Sequence, residues 1–189
     1  MIVVDSLPSV HTVKGVFTPD ECSRIITYGL NGPLSPGYAP GMRIDPDRRS
    51  SLIRFLYPDE GSHWIFARLW KTVENANLND GITTLNFAQF TEYKAEYGGH
   101  FGLHRDTEVF YHATDTTNFR RKLTCVIQLS DPDTYKGGDL EFVYGKGKSL
   151  YGQRDQGCAI LFPSKALHKA NRLTSGERYS LVAWFEGPK

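Results

Sequence analysis

The apolar positions in the first third of the chain recur at helical spacing. Thr18, Pro19 and Glu21 indicate a helix start, because a hydroxyl N-cap, a first-turn proline and a glutamate three residues after the cap form a capping box. The apolar positions that follow on one face are Cys22, Ile25, Ile26 and Leu30. We expect this face to join the core and the helix to end at Gly32 and Pro33.

Alternating strand-like runs dominate from residue 85 onward. Five runs rich in β-branched and aromatic residues are separated by Gly, Pro, Asp or Lys clusters, which is typical of short antiparallel strands. These runs are residues 85–93, 122–130, 139–144, 158–163 and 178–186. Before them, the pattern predicts a strand over residues 50–57, a helix over 62–77 and a loop over 31–48. The expected fold class is α+β, with two helices against a sandwich or barrel of antiparallel strands.

Length, net charge and cysteine content argue against several classes of protein. A chain of 189 residues fits a single domain, and its net charge of +1 provides no broad basic field for nucleic acid. Cys22, Cys125 and Cys158 are far apart and form no CxxC pair, which argues against a disulfide scaffold or a structural zinc site. No signal peptide and no apolar run of about 20 residues is visible. We therefore expect a cytoplasmic monomer without membrane attachment.

His104 and Asp106 form the first candidate metal-binding pair. If both residues lie on a strand, their side chains point to the same face and can reach one ion. The sequence His-Arg-Asp also occurs in the catalytic loop of protein kinases. That loop requires an asparagine where this chain has Tyr111, and the chain has neither a DFG motif nor a Gly-rich loop. A kinase is therefore excluded.

His168 and Arg178 supply the second half of the candidate site. His168 follows an apolar strand, and Arg178 comes ten residues later, so a return strand would place the two on neighbouring strands with Ser180 on the same face as Arg178. A buried arginine is costly unless it meets an anion. Two histidines and one carboxylate near an inward arginine predict a 2-His-1-carboxylate metal site beside a carboxylate-binding cation.

Several motifs in this order resemble the Fe(II)- and 2-oxoglutarate-dependent oxygenases, specifically their prolyl/lysyl hydroxylase-like branch of the prolyl 4-hydroxylase type. The motifs are Tyr93, Gly98, Gly99, Phe101, His104 and Asp106, then Leu129 and Ser130, then residues 137–142, then Phe162, Pro163, Ser164 and His168, and finally Gly176, Arg178, Ser180, Leu181 and Trp184. The resemblance covers about residues 85–187 and extends more loosely to the N-terminal third.

The resemblance implies a fold and a set of ligands. The fold would be a single domain over residues 1–189, with a double-stranded β-helix (jelly-roll) core over 85–187 supported by helices and a loop in 1–84. Fe(II) would be held by three side chains and 2-oxoglutarate by four. The metal ligands would be His104, Asp106 and His168, and the cosubstrate-binding residues Arg178, Tyr93, Ser180 and Gln128. O2 would be the second cosubstrate, and ascorbate would stimulate turnover.

Three positions depart from the family pattern. Gln128 stands where a tyrosine often helps to bind the distal carboxylate of 2-oxoglutarate; it could donate an amide hydrogen bond instead, or leave that role to Ser180 and Tyr93. Phe101 replaces a frequent tyrosine and lacks its hydroxyl. Tyr93 lies about one residue further from the histidine and aspartate than usual. Residues 31–48 and 107–119 are placed to cover the entrance, and we expect them to form a lid.

The function implied by the resemblance is hydroxylation of a C–H bond, with release of succinate and CO2, on a prolyl residue of a protein or peptide. Alternatives remain open at this point. An oxygenase could act on a free amino acid or another small molecule. A non-redox, cupin-like metal-binding module would need no inward arginine. A zinc hydrolase would use the same three ligands with a nearby acidic base, for which Glu141 is the candidate.

Overall fold

A computed structural model describes residues 9–33, 35–36, 47–108 and 119–189. This part of the chain contains two helices, α1 (Pro19–Leu30) and α2 (His63–Asn75), and fourteen strands. In chain order the strands are β1 (His11–Val13), β2 (Ser35–Pro36), β3 (Arg49–Ser50), β4 (Leu52–Leu56), β5 (Ala88–Lys94), β6 (His100–His104), β7 (Phe119–Gln128), β8 (Lys136–Gly137), β9 (Leu140–Tyr144), β10 (Lys148–Tyr151), β11 (Ala159–Pro163), β12 (His168–Ala170), β13 (Leu173–Ser175) and β14 (Glu177–Pro188).

The strands form two main antiparallel sheets. The larger sheet has seven strands in the order β1-β11-β7-β14-β5-β4-β2, and the smaller has five in the order β10-β9-β12-β6-β3. β8 and β13 pair separately. The long central strands β7 and β14 are paired from Ser180 opposite Gln128 to Pro188 opposite Phe119. All five strand runs predicted in the second half of the chain are observed.

The two faces of the seven-stranded sheet bury different side chains. On β11, Ala159 and Leu161 belong to the core that includes residues of both helices, whereas Ile160 and Phe162 pack with Phe142 of β9. Alternate residues of a strand point to opposite faces. One face of the larger sheet is therefore covered by α1 and α2, and the other faces the five-stranded sheet.

Helix α1 begins as the sequence predicts. The Thr18 hydroxyl accepts from the Glu21 N–H, and the Glu21 carboxylate accepts from the Thr18 N–H, which completes the capping box. The prediction that Leu30 is a core residue is wrong, because Leu30 ends the helix and is 40% exposed. Gly29 occupies the buried position instead, where an added Cβ would lie 2.6 Å from the Phe90 ring.

One of the strands predicted from the sequence is divided into two in the structure. The predicted strand over residues 50–57 is divided at Ser51, so that β3 joins the smaller sheet and β4 the larger.

The predicted loop over 31–48 and the predicted lid over 31–48 and 107–119 fall largely outside the described residues. All three cysteines are buried and unpaired. Neither described helix has the length and hydropathy needed to cross a bilayer.

Candidate metal and cosubstrate site

A pocket between the two sheets contains most of the candidate site residues. The larger sheet contributes Tyr93, Arg178 and Ser180, and the smaller sheet contributes His104 and His168. Asp106 also lines the pocket, although it lies just beyond β6. Residues that are up to 87 positions apart in the chain, Tyr93 and Ser180, thus meet in one buried space.

Three of these side chains form a compact cluster of donor atoms. One ligand atom from each of His104, Asp106 and His168 lies within 4.8 Å of the other two. His104 Nε2 is 3.5 Å from Asp106 Oδ1, and His168 Nε2 is 3.7 Å from Asp106 Oδ2. All three residues are buried. The histidines meet because β12 pairs with β6, with His168 directly opposite His104.

The expectation that His104 and Asp106 share a strand face is wrong. β6 ends at His104, and Asp106 opens a short 3-10 helix over Asp106–Glu108. The Asp106 N–H donates to the Ser164 carbonyl at 2.9 Å, which ties this turn to the end of β11. A turn anchored to the opposite sheet, rather than strand alternation, brings the carboxylate to the histidines.

The backbone orients both imidazoles toward the carboxylate. His104 Nδ1 lies 2.8 Å from the Gly102 carbonyl, and His168 Nδ1 lies 2.9 Å from the Ala166 carbonyl. Because a carbonyl only accepts hydrogen bonds, each Nδ1 carries a proton, and in the neutral ring Nε2 is the nitrogen with a free lone pair. Burial lowers the pKa of His168, which favours its neutral form. This is the tautomer required of a histidine that binds a metal through Nε2.

Two hydroxyls lie behind the Asp106 carboxylate. The Thr124 hydroxyl donates to Asp106 Oδ2 at 2.7 Å and lies 2.9 Å from the Ser164 hydroxyl; both residues are fully buried. Burial alone raises the pKa of Asp106, but the adjacent imidazoles and the Thr124 hydroxyl outweigh it and hold the pKa well below its ordinary value. One carboxylate and two imidazoles make up the 2-His-1-carboxylate donor set, which fits Fe(II).

Arg178 faces this cluster from the larger sheet. The prediction that His168 and Arg178 lie on neighbouring strands is wrong, because β12 belongs to the smaller sheet and β14 to the larger one. Arg178 is 2% exposed, and its Nη2 donates to Gln128 Oε1 at 2.7 Å. Its Nε is buried and has no hydrogen-bond partner among the described residues. The guanidinium therefore retains donor capacity for an anion inside the pocket.

The side-chain amide of Gln128 is oriented differently from the prediction. Its amide nitrogen donates to the Gln153 carbonyl at 3.0 Å, so its oxygen, not its N–H, faces Arg178. Tyr93 lies opposite Arg178 in the strand register, with the guanidinium carbon 5.5 Å from its ring centre. Ser180 lines the pocket on the same face as Arg178, as predicted. Gln128 holds the arginine, and contact of all three residues with a cosubstrate stays a prediction.

Glu141 does not reach the cluster. It lies on β9 between the inward Leu140 and Phe142, and its carboxylate accepts from Ser149 and Asn171 and pairs with Lys169 at 3.2 Å. These three partners hold the Glu141 carboxylate outside the pocket. A zinc hydrolase that uses Glu141 as its base is therefore inconsistent with the structure.

The roles of Thr124 and Ser164 behind the Asp106 carboxylate were not predicted from the sequence. Thr124 was not singled out, although its period-two spacing from Gln128 on the same strand could have placed it on the pocket face. Ser164 was noted only as part of a motif. Phe101 and His104, both on β6, stack with 3.7 Å between their ring centroids.

Solved structures share this fold. A prolyl hydroxylase from Trichoplax adhaerens, in complex with a peptide fragment of the hypoxia inducible factor oxygen degradation domain, superposes with a TM-score of 0.71 at 16% identity, over 94% of this chain and 83% of that chain. A prolyl-4-hydroxylase from Pseudomonas putida superposes with a TM-score of 0.67 at 20% identity, over 96% and 94% of the two chains.

Sequence comparison identifies the family. Residues 88–186 match the 2OG-Fe(II) oxygenase superfamily, and the chain belongs to it. A PKHD-type hydroxylase of Pseudomonas putida F1 is 34% identical over 179 residues, which cover 91% of this chain and 76% of that relative. Another, from Shewanella sp. ANA-3, is 34% identical over 101 residues, which cover 51% and 41% of the two chains.

These matches confirm the predicted family, its prolyl hydroxylase-like branch and the cofactors. Enzymes of this superfamily use Fe(II), 2-oxoglutarate and O2, so this protein is a 2-oxoglutarate-dependent dioxygenase. The non-redox, cupin-like module is thereby set aside. The match to the Shewanella relative spans less than half of that protein's length.

Proposed function

We propose that this protein hydroxylates a prolyl residue of a protein or peptide, with the metal held by His104, Asp106 and His168. The observation that carries the proposal is the buried cluster of these three side chains, which shares one pocket with the partly unsatisfied Arg178. We also propose that the two facing sheets form the jelly-roll typical of the family, within one domain that comprises the whole chain.

Each residue of the pocket has a distinct task in this proposal. His104 and His168 direct their Nε2 atoms into the cluster, and Asp106 supplies a negative charge. Arg178 binds the distal carboxylate of 2-oxoglutarate, since a guanidinium forms strong charge-assisted hydrogen bonds with a carboxylate in a dry pocket. Gln128 fixes the guanidinium from behind, and Tyr93 and Ser180 flank it.

Iron, when bound, supplies the redox chemistry that couples O2 reduction and 2-oxoglutarate decarboxylation to C–H hydroxylation. The chain's own contribution is positioning and exclusion of water. Val126, Leu140 and Val182 line the pocket that also contains the metal ligands and Arg178, so that the space for the cosubstrate has apolar walls. Apolar walls strengthen the electrostatic attraction between Arg178 and a carboxylate.

Two observations support a prolyl substrate. The relatives with which this chain shares 34% identity are named PKHD-type hydroxylases, and the solved structures with the same fold include prolyl hydroxylases, one of them bound to a peptide. In addition, Trp184 lines the same pocket as the three metal ligands, and a flat apolar ring suits a pyrrolidine ring.

The test is turnover of defined substrates under air with Fe(II) and 2-oxoglutarate. Proline-containing peptides and free proline are supplied in parallel, and succinate and the mass gain of one oxygen atom are measured. The proposal predicts oxygen incorporation at a prolyl residue of a peptide, lost in His168→Ala and retained in the control His63→Ala, an exposed histidine outside the pocket. Hydroxylation of free proline alone, or of no prolyl compound, would contradict it.

A further inference from the structure

Several aromatic side chains are exposed at one side of the pocket. Phe55 is 45% exposed, Tyr57 is 60% exposed, and Phe87 lies half-buried between them. We call these three residues the aromatic row. Large apolar side chains clustered on the surface of a soluble protein mark a binding site more often than isolated ones do.

The strand register places the aromatic row on the pocket side of the larger sheet. Phe55 of β4 lies directly opposite Gln89 of β5, and Gln89 lines the pocket. Directly opposite residues of an antiparallel pair point to the same face. The next residue, Leu56, points the other way and packs in the core beneath the helices. The aromatic row thus lies on the part of the pocket face that the smaller sheet leaves open to solvent.

The aromatic row is continuous with the pocket. The Phe87 ring lies 5.9 Å from that of Trp184, which lines the pocket, and 6.1 Å from that of Tyr57. The Phe55 ring packs edge-on against Phe87 at 5.4 Å. Exposure rises outward from 8% at Trp184 to 60% at Tyr57. At about 3.3 Å per residue, an extended chain of three or four residues would follow this path from the pocket outward.

The chemistry of the aromatic row favours one kind of occupant. Its three side chains carry no charge, and Tyr57 presents the only hydroxyl. Aromatic-lined grooves bind proline-rich segments, because the polyproline II conformation is already extended and its rings pack flat on aromatic faces. Trp184 lines the pocket together with the metal ligands and adjoins Phe87, so the residues that flank a prolyl group bound beside Trp184 can reach the aromatic row.

We propose that the aromatic row is the docking surface for the residues that flank the hydroxylated proline, and that these residues form an extended, proline-containing segment. This inference rests on the proposed prolyl hydroxylase function. It adds that the enzyme selects substrates by several residues rather than by the reacting proline alone.

The test compares two peptides and two variants of the 189-residue chain. One peptide is a tripeptide with a central proline, and the other is a ten-residue peptide with repeated prolines. The variants are the double substitution F55A/Y57A and the control Tyr151→Ala. Tyr151 is 55% exposed on β10, at the edge of the other sheet, so its removal takes away one exposed aromatic ring outside the aromatic row.

The proposal predicts that F55A/Y57A raises the KM for the longer peptide about tenfold while kcat is retained, since two ring contacts are lost. Tyr151→Ala should leave both constants unchanged. Binding of the longer peptide to the protein loaded with Mn(II) and 2-oxoglutarate, measured by fluorescence anisotropy, should weaken by the same factor in the double variant only.

The outcomes separate this inference from the proposed function. Turnover of the longer peptide with an unchanged KM in F55A/Y57A would overturn the docking surface and leave the prolyl hydroxylase intact. Peptide binding that depends on the aromatic row without hydroxylation would support the surface and contradict the proposed function. No binding of either peptide, or a concentration-dependent dimer that F55A/Y57A abolishes, would overturn the docking surface.

Discussion

The two faces of the seven-stranded sheet are built from the same strands but have opposite chemical character. On β14, Leu181, Ala183 and Phe185 face the helices and are fully buried in the apolar core. Their neighbours Arg178 and Ser180 are just as deeply buried, yet they are polar and face the pocket. Apolar burial stabilises the fold, whereas a buried polar group lowers stability unless it is fully hydrogen-bonded. The helix face maintains the fold, and the pocket face is where ligands would satisfy the buried polar groups.

The sharpest test of this contrast is Arg178→Ala. Removing one partner of a buried charge pair weakens binding by about 2–5 kcal/mol, so we expect the affinity for 2-oxoglutarate to fall roughly 30-fold to several thousand-fold. Calorimetric titration of the anaerobic Mn(II) protein measures this directly. Arg172→Ala, which removes an exposed arginine that contacts only the Gly98 carbonyl in the described residues, is the control. Equal affinities in the two variants would show that the pocket face does not bind the cosubstrate through Arg178.

Leu181→Ala tests the opposite face of the same strand. Truncating a fully buried leucine costs about 2–5 kcal/mol of the free energy of unfolding, through lost burial and the cavity that remains. Urea denaturation measures the loss, and the folded fraction should retain wild-type affinity for 2-oxoglutarate. Arg178→Ala should cost less stability than Leu181→Ala. A larger loss of stability in Arg178→Ala than in Leu181→Ala would contradict the distinction between a helix face that maintains the fold and a pocket face that binds ligands.

A smaller effect is expected from Thr124→Val, which keeps the shape of the side chain and removes the hydroxyl behind Asp106. Loss of a group that orients a metal ligand typically weakens metal binding by about 10- to 100-fold. Titration with Mn(II) in the absence of 2-oxoglutarate reports this without turnover. Thr91→Val, which removes another fully buried hydroxyl on the larger sheet that hydrogen-bonds Gln89, is the matched control. Similar metal affinities would show that the Thr124 hydroxyl serves the fold alone.

The smallest effect is expected from Gln128→Leu. The substitution removes one neutral acceptor from the Arg178 guanidinium, so a change of about 1 kcal/mol, or roughly fivefold in the affinity for 2-oxoglutarate, is expected. An effect as large as that of Arg178→Ala would mean that Gln128 contacts the cosubstrate itself. That result would support the sequence-based prediction that the Gln128 amide donates a hydrogen bond to 2-oxoglutarate.

Most of the strands in the second half of the chain could be predicted from sequence, because their alternation is strong and their turns are rich in Gly and Asp. The capping box likewise predicted the start of α1. The short strands β3, β8, β12 and β13 have two or three residues each, too few for a periodic pattern. They form only because a partner strand is already in place.

The candidate site was predictable in composition but not in geometry. The residue types and their order pointed to His104, Asp106, His168 and Arg178, yet two of the reasons given for their convergence were wrong. Asp106 reaches the histidines through a turn fixed by Ser164, and Arg178 faces His168 from the opposite sheet. Such relations depend on how the two sheets face each other, which no local pattern encodes.

The central claim is that the His104–Asp106–His168 cluster holds iron and that Arg178 holds the far end of 2-oxoglutarate in the same pocket. Anaerobic titration of the metal-free protein with Fe(II) and 2-oxoglutarate tests it most directly, because a keto acid chelated to iron gives a visible charge-transfer absorption. The account predicts a band that is absent in His168→Ala, requires more 2-oxoglutarate in Arg178→Ala, and decays with formation of succinate when O2 is admitted. A band of wild-type intensity in His168→Ala, or no band in the wild type, would contradict it.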